Sequence, residues 1–131
     1  MKSEVKELYR QAKKVRKKAY VPYSNFKVGA SILVNQNKIF TGCNIENASY
    51  GLTMCAERVA IFKAVSQGFK NIQILLLTAD TKELISPCGA CRQVISEFGN
   101  NIDIYMSNLE GKMKKTNINK LLPESFNKGD F

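Results

Sequence analysis

The stretch from Ile72 to Thr78 reads Ile-Gln-Ile-Leu-Leu-Leu-Thr, a continuous apolar run of the kind found in a strand buried on both faces. Such a strand needs a covering layer on each side, so the elements around it decide the fold. A helix is expected from Cys55 to about Gln67, stopped by Gly68, and another from about Gly89 to Phe98, ended by Gly99-Asn100. Upstream, Lys27 to Val34 and Lys38 to Ile45 are rich in Val, Ile and Phe around Asn35-Gln36-Asn37, which predicts a β-hairpin. Downstream, Ile102 to Ser107 reads as a strand and Lys112 to Asn117 as a charged edge strand. Strands alternating with helices imply an α/β fold, a three-layer α-β-α arrangement with a mixed sheet of roughly five strands and right-handed crossovers between parallel neighbours.

The chain opens on an amphipathic segment. Val5, Leu8, Tyr9, Ala12, Val15 and Ala19 recur at helical spacing, with Lys and Arg on the other faces and Ser3 expected as the N-cap. Pro22 breaks this helix, because the residue before a proline disfavours helical backbone. At 131 residues the chain fits a single domain, residues 1–131, with a real core. No apolar run is long enough to span a bilayer and no export signal is recognisable, so a soluble, cytoplasmic protein is expected.

The net charge of +9 raises the question of a nucleic-acid partner. Its distribution argues against one. Residues 1–20 carry +6, residues 21–111 carry no net charge, and residues 112–131 carry +3. The excess therefore lies outside the segment holding the cysteines, and solvated basic faces on terminal elements account for it.

Cys88 and Cys91 form a C-x-x-C, and Cys55 lies far upstream. With no export signal, that spacing favours a metal over disulfides. Both motifs fall where a loop enters a helix, whose partial positive charge favours thiolates. The chain has no histidine, and Cys43 is the one thiol left to close the site. Alternation along its strand turns Cys43 and Ile45 to one face and Asn44 and Glu46 to the other, which argues against Cys43 as a ligand. An open site with three thiolates and one Zn²⁺ per chain is the result. Three thiolates leave a net charge of about −1, which calls for a nearby cation, and Arg58 is the candidate to donate hydrogen bonds to them. Glu57, two residues after a ligand, reads as a proton shuttle rather than as a further ligand.

Cys55-Ala56-Glu57 together with Pro87-Cys88-Gly89-Ala90-Cys91 resembles the zinc deaminase signature, in the form where cysteine replaces the histidine ligand. The run from Gly42 to Gly51, with Tyr23-Ser24-x-Phe26-x-Val28-Gly29-Ala30, Leu121-Leu122-Pro123 and Phe126, is similar to the small homotetrameric cytidine deaminases over essentially the whole chain. That resemblance implies hydrolysis of cytidine and deoxycytidine to uridine and deoxyuridine plus ammonia, in pyrimidine salvage. It implies a zinc-activated water attacking C4 of cytosine, with Glu57 carrying protons to N3 and to the leaving ammonia. It further implies that Asn44 and Glu46 hold the ribose, that Phe26 and Ala56 contact the substrate, and that Phe126 reaches a neighbouring subunit's site in a homotetramer. Two other readings compete: a deaminase of a related nucleoside-like compound, and a basic structural zinc module that binds RNA through a closed four-ligand site.

Overall fold

A computed structural model describes residues 2–131. Helix α1 (Ser3–Arg16) leads into strands β1 (Val28–Val34) and β2 (Lys38–Cys43), then helix α2 (Ala56–Ser66) and strand β3 (Ile72–Ala79). Helix α3 (Gly89–Glu97), strands β4 (Asp103–Asn108) and β5 (Met113–Asn117) and the short helix α4 (Ile118–Leu121) follow, and a C-terminal segment runs on through a 3-10 turn at Lys128–Asp130. The five strands form one sheet in the order β2-β1-β3-β4-β5. Within this sheet β3 and β4 pair in parallel; β1 pairs antiparallel with both β2 and β3, and β5 antiparallel with β4.

Side-chain alternation divides the sheet between two layers. Leu33, Ile74 and Leu76 pack on one face against Val5, Leu8 and Ala12 of α1. Ile32, Leu75, Leu77 and Ile104 pack on the other against Ala60, Ile61 and Ala64 of α2 and Ile95 of α3. The apolar run of β3 is thus buried on both faces, as three layers require. The α1 stripe stops earlier than its spacing suggests. The helix ends at Arg16, so Ala19 lies beyond it, and Lys2 rather than Ser3 occupies the N-cap position without a side-chain hydrogen bond. Ser3 is the first helical residue, one position too late to cap. Among the described residues no helix is long and apolar enough to cross a membrane.

The topology explains where the cysteines meet. Two successive antiparallel pairings give β2 and β3 the same direction. Both α2 and α3 therefore leave the sheet at the same end, and their packing against one common face makes their N-termini neighbours. Gly42 of β2 sets how closely α2 approaches, since a Cβ there would lie 2.5 Å from both the Ala56 carbonyl oxygen and the Ala60 nitrogen. At the far end, Gly68 takes a left-handed φ of 94° just past α2, a conformation that glycine adopts without steric cost.

Candidate active site

Cys55 is the N-cap of α2 and Cys88 the N-cap of α3. Cys91 lies in the first turn of α3, where its backbone N–H donates to Cys88 Sγ at 3.5 Å. The loop before Cys55 is anchored by Ile45, whose backbone exchanges hydrogen bonds of 3.0 and 2.9 Å with Met54. Tyr20 joins the same patch, donating from its N–H to the Asn44 carbonyl at 3.0 Å and accepting from the Glu46 N–H at 2.8 Å. Local pairing at the end of β2 thus delivers Cys55 to the start of its helix.

The ligand atoms of Cys55, Cys88 and Cys91 all lie within 4.8 Å of one another, with Cys55 and Cys88 Sγ 3.9 Å apart. Two sulfurs each ~2.3 Å from a tetrahedral ion are separated by ~3.8 Å, so the spacing fits zinc. The thiols' own electrostatics agree. A hydrogen bond from the Cys91 thiol, aided by Arg58 and Cys88 and opposed by burial, pulls Cys55 down to about 5. That same hydrogen bond to Cys55, together with burial and the Glu57 charge, pushes Cys91 well above the thiol range. Three thiols in contact cannot all ionise without a cation among them. Cys43, half-buried, is not in the cluster, so among the described residues the cluster holds three of the four thiols.

Arg58 Nη2 donates to Cys55 Sγ at 3.4 Å. That contact with the thiolate raises the Arg58 pKa and keeps it charged beside the donor set. Glu57, in the first turn of α2, is 4% exposed. Burial pushes its carboxyl up to about 7, the Cys55 thiolate adding to the rise and Arg58 opposing it. A carboxyl tuned there both takes and gives protons at neutral pH.

A cleft of about 340 Å³ opens over these residues, lined by Phe26, Asn44, Ala56, Glu57, Ile85 and Ser86 among others. Strand β2 stops at Cys43, so the alternation expected through Glu46 does not continue as sheet. Asn44 Oδ1 instead accepts from the Val28 N–H at 2.8 Å, and its Nδ2 donates to the Phe26 carbonyl at 2.7 Å. Glu46 Oε1 accepts from the backbone N–H groups of Tyr23 and Ser24 at 3.0 and 3.2 Å, and Oε2 accepts from the Ser24 hydroxyl. Each side chain keeps free hydrogen-bonding capacity, a donor and a lone pair on Asn44 and lone pairs on Glu46. Phe126 lies elsewhere. It is 61% exposed, edge-on to Phe131, and its carbonyl accepts from Gln93 Nε2 at 2.8 Å.

Reasoning from the sequence did not reach Ser24 as a partner of Glu46, nor Ile85 and Ser86 as cleft walls. Ser24 stands beside the aromatic Tyr23 and Phe26, a polar residue in a loop otherwise rich in rings, which was the available signal. Nothing in the composition around Ile85 distinguishes it from core.

Helix-capping thiols and a buried carboxyl at one end of an α-β-α sheet define a zinc hydrolase centre. The family model for the cytidine and deoxycytidylate deaminase zinc-binding region matches residues 2–107, and the chain belongs to that family. It is 51% identical to the cytidine deaminase of Sporosarcina psychrophila, over 98% of this chain and 95% of that one. Identity to the cytidine deaminase of Halalkalibacterium halodurans is 46%, over 95% of each chain. The crystal structure of cytidine deaminase from Burkholderia pseudomallei superposes with a TM-score of 0.90 at 44% identity, covering 96% of this chain and 100% of that one.

Proposed function

We propose that the chain hydrolyses cytidine and deoxycytidine to the corresponding uridines and ammonia, a step of pyrimidine salvage. The observation that carries this reading is a cluster of three mutually close thiols beside one cleft, whose lining includes Cys55, Cys88, the buried Glu57 carboxyl and the Asn44 amide; Glu46, which also has unused hydrogen-bonding capacity, is held by the Tyr23–Ser24 loop that leads to the cleft residue Phe26. Cys55, Cys88 and Cys91 would hold one zinc, which when bound supplies Lewis acidity and lowers the pKa of a water in its open position.

The chain's own residues do the rest. Glu57 moves the protons: it accepts one as water adds at C4 of the base and places it on N3, then accepts the proton of the new C4 hydroxyl and gives it to the amino group as ammonia departs. Its carboxyl, raised to about 7, is suited to both directions of transfer. Phe26 presents an apolar wall to the base, and Ala56, buried at the start of α2, brings backbone close to it. Asn44 and Glu46 hold the ribose. A neutral, hydroxyl-rich sugar suits an amide with a free donor beside a carboxylate with free lone pairs. Arg58 offsets the net negative charge of a three-thiolate zinc site.

We further propose a homotetramer in which Phe126 completes a neighbouring subunit's site. In support, Phe126 is exposed and lies outside the cleft of its own chain.

Incubation with cytidine, followed by the loss of cytosine absorbance, tests the reading directly. The native protein is expected to turn over, and Glu57→Gln to keep its zinc and fold while losing at least about 10²-fold in kcat. Undiminished turnover in Glu57→Gln would remove Glu57 from its role. An inert, zinc-loaded native protein would remove the deaminase reading altogether.

A further inference from the structure

Arg92 follows directly on Cys91, yet its side chain is not directed at the thiols. Its three guanidinium nitrogens go to three acceptors on two distant stretches of chain, Ser86–Pro87 and Leu121. Nε donates to the Pro87 carbonyl at 2.8 Å, Nη2 to the Ser86 hydroxyl at 2.6 Å, and Nη1 to the Leu121 carbonyl at 2.8 Å.

Each contact has a mechanical meaning. The Pro87 carbonyl belongs to the same planar peptide as the Cys88 nitrogen, so holding that oxygen fixes the plane from which Cys88 departs. The ring of Pro87 already fixes its own φ. Together the two leave the Cys88 Cα–Cβ direction little freedom before any metal arrives. Ser86 lines the cleft, so the second bond holds its wall. The Leu121 carbonyl closes α4, where a helix end leaves carbonyls without partners and favours a cation. That segment continues to Phe126, whose carbonyl is held by the neighbouring Gln93.

We propose that Arg92 is a positioning residue that ties the Cys88 ligand loop and the Ser86 wall of the cleft to the C-terminal segment, so that ligand and cleft geometry are set by one guanidinium. Lysine does not substitute. An ammonium is a point charge on a flexible stem and does not present a planar fork to three acceptors at once. The inference rests on the zinc-site reading above, but its main readout does not depend on turnover.

The test compares native protein with Arg92→Met, Arg92→Lys and Gln93→Ala, all zinc-loaded and held well below their melting temperatures. Zinc release to an excess of a coloured chelator is followed first, then KM and kcat for cytidine. Arg92→Met is expected to release zinc about tenfold faster or more, the scale seen when a group behind a metal ligand is lost. Its KM should rise more than its kcat falls, because the cleft wall loosens while Glu57 is untouched. Arg92→Lys should recover only part of the loss, and Gln93→Ala should release zinc at the native rate. Native zinc release and native KM in folded Arg92→Met would overturn the proposal. So would equally fast release from Gln93→Ala, which would mean that any loosening of α3 suffices. Should Arg92→Met not fold, Arg92→Lys decides, and fully native zinc retention there overturns the assignment. If the native protein fails to deaminate cytidine, the functional reading falls, while the zinc-release comparison still judges Arg92.

Discussion

Glu46 shows how the fold sets the charge state of a single side chain. Its carboxyl is held below the ordinary value of 4.5, chiefly by the Ser24 hydroxyl, which outweighs the opposing cost of burial, with the Tyr23 and Ser24 backbone N–H groups adding smaller contributions. A depressed folded pKa means that the ionised form is the one the fold favours. Its contribution is therefore present above the unfolded value and is lost as pH falls through the lower, folded one. A ¹³C titration of the Glu46 carboxyl should give a midpoint below 4.5, and Ser24→Ala should move it back toward that value. No movement in Ser24→Ala would assign the depression to the backbone groups alone. At this scale the sequence was legible wherever chemistry is carried by spacing. Cys55, Cys88 and Cys91 could be grouped because i, i+3 thiols beside a Cys-x-Glu have few other uses. The bonds from Ser24 to Glu46 and from Arg92 to Leu121 span 22 and 29 residues, and no local pattern encodes them.

Among elements, α2 matters most, since it carries Cys55, Glu57 and Arg58 in its first turn or at its cap. Its seat is Gly42, where an added methyl would meet backbone atoms of Ala56 and Ala60 that have no rotamer to escape into. Gly42→Ala is expected to lift the start of α2 and cost about 1–3 kcal/mol, in the range of other overpacked sites. The zinc-loaded protein should melt several degrees lower, and calorimetry would show it. An unaltered melting temperature would mean that helix and strand slide apart freely. The stripe of α1 and the unbroken run of β3 were readable because periodicity reports burial on one face or on two. The short α4 was not, because four residues contain no repeat and its end is held by distant Arg92. Nor was the strand order β2-β1-β3-β4-β5, which depends on pairings far apart in the chain.

For the whole molecule, the informative surface is apolar. Tyr50 and Leu52, beside the metal loop, are 74% and 67% exposed, and Phe62 projects from the outer side of α2 at 44%. Tyr50 and Leu52 lie in the turn that leads into α2, and Phe62 belongs to α2 itself, which packs on one face of the sheet while α1 covers the other. Association through the α2 side would bury rings next to the cleft and leave the basic face in water, which agrees with the proposed homotetramer. If Phe126 acts across that interface, two damaged chains should repair each other. Glu57→Gln is expected to be inactive alone, and Phe126→Ala to work with a raised KM. In a mixed assembly, some intact Glu57 sites of the Phe126→Ala chain face an intact Phe126 from the Glu57→Gln chain. Co-refolding the two should therefore create a fraction of sites with native KM, which neither parent shows. If the mixture only averages the two parents, Phe126 serves its own chain's site or none, because residues confined to one subunit cannot be supplied by another.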